Sequence, residues 1–276
     1  MSYFSLARRV PEASAVDPRV LAGLYRAIAR LPLVRGVHRR FLEATLAQHA
    51  GGGGSLALDV GTGPGYVAVE LARRRPGLRV VGLDLAAHMV RHAAGRGARA
   101  ALDDRALWPQ GDGHRLPFAD GSFDLVVSSF ALHHWRDPLR VFDEVARVLA
   151  PGGRFYLADV CREPSLFQRL FAYASIPVVS LAFGSYLGHG GYYESMRAGY
   201  TRAEARDLLR ASALPPGTVG LASTRYLPIL TITSGAKPSK GKAEEFPCPP
   251  APLALAGRGD RREGGEGRFS SEENHR

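Results

Sequence analysis

Asp59 and Asp84 bracket the stretch "LALDVGTGPGYVAVELARRRPGLRVVGLDL", residues 56–85, in which Gly61, Gly63 and Gly65 alternate with other residues just after the first carboxylate. Glycines at this spacing remove the Cβ atoms that would hold a ligand away from the chain, so the backbone can come close to a ligand. Asp84 closes a second apolar run, where a carboxylate can accept hydrogen bonds from both hydroxyls of a ribose. The competing reading is that the glycines only make a tight turn and Asp84 only caps the next helix. A carboxylate directly before the glycines repels a pyrophosphate but welcomes an ammonium or sulfonium group. Asp59 therefore points to a cationic nucleoside ligand, met directly or through water. A hydrogen bond from Asp59 to the loop backbone is the alternative.

His133 and His134 follow a third apolar run in "FDLVVSSFALHHWRDP". Imidazole titrates near neutrality, which makes both residues candidate general bases. They equally suit a structural role as a lead-in to the helix after Asp137. The chain holds no nucleophile elbow, Walker loop or zinc-type spacing of His and Cys, so no metal site is expected. Cys161 and Cys248 are too few for a disulfide scaffold, and with no long apolar run in the N-terminal residues a secretory signal is not expected. The expected location is cytoplasmic.

These residues need elements to hold them. Apolar runs at 55–60, 79–84, 123–129 and 154–160 read as strands, alternating with helical patterns at 66–75, 87–95 and 138–149. Glycine is expected to stop the second of those helices, and Asp137 to cap the third ahead of Pro138. Such alternation gives an α/β fold, a parallel sheet with helices on both faces and ligands at the carboxyl ends of the strands. A further helix is expected at 201–211 and a closing strand at 224–233, at an edge or bulge because of Pro228. Residues 17–49 read as two helices broken at Pro32, joined to the first strand by four glycines at 51–54. The expected organisation is a helical cap over 1–54, a main α/β domain over 55–235 with a ligand-binding insertion around 165–200, and a disordered tail over 236–276, rich in Gly, Pro and mixed charge. The net charge of +10 comes from arginines scattered through helical segments, not from a basic run with interleaved aromatics, so nucleic acid is not the expected partner.

The stretches "LDVGTGPG", "VVGLDLAAHMV", "GDGHRLPFADGSFDLVVSSFALHHW" and "DPLRVFDEVARVLAPGGRFYLADV" resemble, in order, the motifs of class I S-adenosylmethionine-dependent methyltransferases. The likeness is to the small-molecule, ubiquinone/menaquinone-methyltransferase-like branch and covers residues 55–160. It implies a Rossmann-like sheet of about seven strands, mostly parallel, closed by an antiparallel strand. It also implies S-adenosylmethionine as cofactor, held by the loops containing Asp59, Gly61, Thr62, Gly63, Asp84, Leu85, Asp112, Gly113 and Ser129. Asp84 would take the ribose, Asp112 the adenine amino group, Gly113 the ring edge, and Ser129 would offer backbone contacts.

Residues 170–187, "LFAYASIPVVSLAFGSYL", run without a charge but barely reach spanning length and contain Pro177 and Gly184, so stable membrane insertion is not expected. In related methyltransferases this place often carries acceptor-binding helices. Phe171, Tyr173, Tyr186, Tyr192 and Tyr193 are the candidates for gripping a small, apolar or aromatic acceptor. The readings left standing beside this one are an RNA methyltransferase and a methyltransferase-like protein that binds without turnover.

Overall fold

The computed structural model describes residues 6, 9, 10, 32–48, 55–183, 192–222 and 224–235, all within the compact unit Met1–Lys240. The first helix expected over 17–31, the glycine joint at 51–54 and the tail at 236–276 lie outside the described residues.

Helix α1 (Pro32–Gln48) precedes β1 (Leu56–Val60), α2 (Tyr66–Arg74), β2 (Arg79–Leu83), α3 (Ala87–Arg99) and the two-residue β3 (Ala106–Leu107). Then come β4 (Phe123–Ser129), a 3-10 turn at Leu132–His134, α4 (Pro138–Val148) and β5 (Leu149–Val160). Helices α5 (Leu166–Phe183), α6 (Tyr192–Ala198) and α7 (Arg202–Ala211) precede β6 (Gly217–Leu221) and β7 (Ile229–Ser234). The strands form one seven-stranded sheet in the order β3-β2-β1-β4-β5-β7-β6, with β1 to β5 parallel and β7 antiparallel to both neighbours. The strand order reverses direction between β1 and β4. In open α/β sheets that reversal opens a crevice at the carboxyl ends of the strands, so the fold fixes where a ligand goes.

Alternate residues of the buried strands feed two cores. Leu58, Val60, Val126 and Leu157 pack with Val141, Phe142 and Val145 of α4, while Ala57, Val80 and Val127 pack with Val67, Leu71, Val37 and Phe41 of α2 and α1. Helix starts follow local chemistry. Asp137 accepts the Arg140 N–H at 3.1 Å, and Thr201 forms a reciprocal cap with Glu204.

Three departures from the sequence pattern have physical causes. Helix α3 runs through Gly95 and Gly97 to Arg99, because Gly97 lets the Trp108 ring come within 2.9 Å of where a Cβ would stand. That packing outweighs the helix-weakening of about 1 kcal/mol per glycine. Strand β6 was hidden by its own Gly217 and Gly220 and is recruited by pairing with β7. Pro228 sits just before β7 rather than in it, offering its carbonyl to the Cys161 N–H at 2.8 Å, so β7 is interior and β6 takes the edge.

Candidate functional site

The loop after β1 is built as a cradle. Gly61, Gly63 and Gly65 have φ of +72°, +53° and +78°. A Cβ on Gly61 would meet the Ala131 Cβ at 2.6 Å, so a side chain there is barred by packing as well as by backbone conformation. At Gly63 a Cβ would meet nothing within 4 Å, so the loop presents open space at its middle. The Gly61 and Thr62 N–H groups both donate to the Leu83 carbonyl, at 2.9 and 3.0 Å, which ties the loop to the end of β2.

Asp84 stands where β2 ends. Its Oδ2 accepts the Gly63 N–H at 2.8 Å and its Oδ1 the Ala86 N–H at 2.9 Å, so one carboxylate joins the glycine loop to the start of α3. Burial raises its pKa, against the pull of those two N–H groups and of His88. Leu85 beside it is 67% exposed, and the Gln110 side chain donates to its carbonyl at 3.0 Å. Asp112 is more open: the backbone N–H of His114 and then its ring hold the carboxyl below the usual range, the ring Nδ1 lying 2.6 Å away. Gly113 fits against Val60, whose Cγ1 would stand 3.3 Å from a Cβ.

Asp59 turns inward instead. It is buried, accepting from the Thr62 hydroxyl at 2.8 Å, and burial pushes its pKa up to about 7 against the pull of Thr62 and the Ala68 N–H. The alternative read from the sequence is a bond to the loop backbone; the partner within the loop is instead the Thr62 side-chain hydroxyl. Because an unfolded aspartate titrates near 4, the folded chain retains a proton between about pH 4 and 7 that the unfolded chain has released. Stability should therefore fall as pH rises through that window, by up to about 1.4 kcal/mol per unit. Asp59→Asn should flatten this slope in urea unfolding at pH 5 and pH 8. An equal fall in both proteins would place the dependence on other groups.

At the end of β4, Ser129 pairs with Ala158 of β5, and Phe130 turns the chain with φ of +57°. Among the described residues, Ser129 Oγ and His88 Nε2 are buried without a hydrogen-bond partner. Unsatisfied buried polar atoms are uncommon and costly, so two of them beside the crevice mark places for a polar ligand. From α1, His38 stacks on Tyr66 at 6.0 Å and meets the Phe130 ring edge-on at 5.9 Å, its pKa lowered by burial to about 4. Helix α1 thus reaches the start of α2 and the end of β4 through a neutral imidazole.

His133 is 4% exposed, and its Nδ1 lies 2.6 Å from Asp159 Oδ1 while its backbone N–H donates to Oδ2 at 2.8 Å. One carboxylate thus meets both the ring and the backbone N–H of His133 and fixes the orientation of the imidazole. His134 lies against this ring, with centroids 4.0 Å apart. Arg9 donates to the His133 carbonyl at 3.0 Å and to the Ala198 carbonyl at 2.7 Å, strapping the N-terminal segment across this corner.

The candidate acceptor residues divide. Tyr193 is fully buried against Tyr173, with ring centroids 5.1 Å apart, and burial raises its pKa. Phe171 packs on Tyr226 at 4.9 Å instead. Tyr192 opens α6, and Tyr186 lies outside the described residues. Asp159, Arg9, His38 and Phe130 were not singled out from sequence. Asp159 alone left a signal there, as a carboxylate inside the apolar run "FYLADV".

Residues 58–157 match the family model described as a methyltransferase domain. The chain is 38% identical over 112 residues to 27-O-demethylrifamycin SV methyltransferase of Amycolatopsis mediterranei, covering 41% of each protein. It is 35% identical to the demethylmenaquinone methyltransferase of Thermus thermophilus, over 47% of this chain and 61% of that one. The matches thus span about half the length of these curated relatives. Among solved structures, a SAM-dependent methyltransferase from Aquifex aeolicus has a TM-score of 0.51 at 19% identity, over 70% of this chain and 87% of that one. Phosphoethanolamine N-methyltransferase 2 of Haemonchus contortus has a TM-score of 0.53 at 22% identity, over 74% of this chain and 43% of that one. At these identities the two structures establish the Rossmann-like class I fold.

Proposed function

We propose that this chain, whose residues 58–157 belong to the methyltransferase domain family, transfers a methyl group from S-adenosylmethionine to a small, apolar or aromatic acceptor. The observation that carries the reading is the convergence, at the carboxyl ends of adjacent strands, of a glycine cradle, a half-buried ribose-type carboxylate and a histidine held by a second carboxylate.

The residues fit the cofactor. The Gly61–Gly65 backbone is open above Gly63 for the methionine portion, and the spare acceptor positions of Asp84 suit ribose hydroxyls. Asp112 suits an exocyclic amine, and the unsatisfied Ser129 Oγ and His88 Nε2 offer further polar contacts. Asp59 acts from behind, fixing Thr62 through the hydroxyl it accepts. When bound, S-adenosylmethionine supplies a methyl group already made electrophilic by the positive sulfur. What remains for the protein is to align an acceptor, exclude water and, for a hydroxyl or an acidic carbon, take up a proton. Asp159 holds the His133 ring at Nδ1 and so orients the imidazole as the group to take up that proton.

The acceptor class rests on two supports. The printed names of the relatives concern a rifamycin and a demethylmenaquinone, and the region from α5 to α6 carries Phe171, Tyr173 and Tyr193 beyond the end of β5. Incubation with labelled S-adenosylmethionine and a metabolite extract should put label into an organic-extractable small molecule. Label found only in RNA, or tight cofactor binding with no transfer to any extract, would overturn the reading in favour of its respective rivals.

A further inference from the structure

Helix α5 begins inside out. Gln168 is buried, donating its amide to the Thr224 carbonyl at 2.7 Å and accepting the Ser165 N–H at 2.8 Å, and Ala172 on the same face is buried too. Leu166, Phe167 and Leu170, at the spacing of one helix face, are instead 74%, 45% and 56% exposed. Large apolar side chains grouped in water while a glutamine is buried beneath them reverse the usual pattern, and such a patch marks a contact surface.

The surroundings of the patch say what it contacts. Arg169 projects from the same helix, with its Nε donating to the Tyr173 hydroxyl at 2.9 Å, and the Arg225 guanidinium lies over the Phe167 and Tyr226 rings at 5.1 and 5.8 Å. Helix α5 contains no carboxylate, and the nearest preceding one in sequence, Glu163, is engaged by Arg202 at 2.8 Å. A second copy of the chain on this face would set these arginines against their own kind. Three protruding side chains are also a small area for a stable protein interface. Protruding leucine and phenylalanine rimmed by arginine, on a chain of net charge +10, match an anionic bilayer surface.

We propose that the start of α5 docks in the plane of an anionic membrane, with Leu166, Phe167 and Leu170 entering the headgroup–acyl boundary and Arg169 and Arg225 meeting lipid phosphates. No helix among the described residues is long and apolar enough to cross a membrane, so the contact is peripheral. The proposal rests on the apolar-acceptor reading for its purpose: an acceptor dissolved in the bilayer reaches the protein beside Phe171 and Tyr173.

The full chain should co-sediment with vesicles of phosphatidylcholine containing phosphatidylglycerol and far less with phosphatidylcholine alone. Replacing Arg169 and Arg225 by Gln should weaken vesicle binding about five-fold per arginine, and high salt should have the same effect. The double variant Leu166→Ser/Leu170→Ser should weaken it by about ten-fold or more. Both variants should bind S-adenosylmethionine as the parent does, and the arginine pair keeps the test intact should the serine pair misfold. Absence of vesicle binding, or binding that neither variant alters, overturns the proposal. So does a dimer broken by the serine pair in a chain that ignores vesicles, which would assign the face to a second copy. Because vesicle binding is measured without methyl transfer, failure here leaves the enzymatic reading standing, and failure of methyl transfer leaves the membrane contact standing.

Discussion

Asp84→Ala should weaken binding of S-adenosylmethionine and of S-adenosylhomocysteine by about 30-fold or more, corresponding to roughly 2 kcal/mol or above for a lost charge-assisted hydrogen-bond partner. Two effects combine. The ribose loses its acceptor, and the Gly63 and Ala86 N–H groups lose the carboxylate that holds the loop and α3 together. Asp84→Asn separates them, since its single carbonyl can still accept from one of those N–H groups while its amide replaces an acceptor with a donor. It should therefore retain the melting temperature better than the affinity. Burial already raises the pKa of this carboxyl, so affinity should also decline on acidification as the acceptor is protonated, earlier than for an exposed aspartate. Calorimetry on folded variants decides the matter. Unchanged affinity in Asp84→Ala removes the residue from the site, and preferential binding of NAD overturns the cofactor assignment.

Why Asp84 was legible in the sequence and Asp159 was not follows from the range of the interactions involved. The glycine loop and Asp84 answer to local rules: positive φ demands glycine, and a strand end followed by a helix places a carboxylate at the crevice. The alternation of strands and helices likewise gave the parallel sheet and its covering layers, because burial on both faces writes apolar runs directly into the chain. Asp159 acquires its meaning only from His133, 26 residues earlier, through the pairing of β4 with β5. His38 is similar, being defined by Tyr66 and Phe130 from two other elements. Trp108 explains glycines in three different places, Gly65, Gly82 and Gly97, none of which names it. Helix α5 misleads in another way: its hydrophobicity predicts burial, yet its first leucines face water and its glutamine does not. What sequence pattern conveys is which residues want to leave water, and a surface that leaves water only against another body breaks that rule.

The second large effect belongs to the pair His133 and Asp159. If His133 takes the acceptor's proton, His133→Ala should lower kcat by about 100-fold to 10,000-fold while leaving cofactor affinity within a factor of about two, because no cofactor contact has been removed. Asp159→Asn should fall in the same direction. An amide can still accept the Nδ1–H, but it no longer stabilises the imidazolium that forms as the proton arrives, and its NH2 group can turn the ring to the wrong tautomer. The pair is buried, at 4% and 2% exposure, so water screens little of that difference. Since the base must be neutral to act, the wild-type rate should climb with pH on its acid limb, and that limb should vanish in His133→Ala. His134→Ala serves as the comparison: its ring lies against that of His133, which holds the contact to Asp159 Oδ1, so it should retain the acid limb at a reduced rate. A purely structural His133 predicts something different, namely a lower melting temperature and weaker cofactor binding in step with the lost rate, with the pH profile unchanged in shape. Measuring kcat against pH for the three variants, alongside their melting temperatures, distinguishes a proton acceptor from a packing residue even before the natural acceptor atom is known.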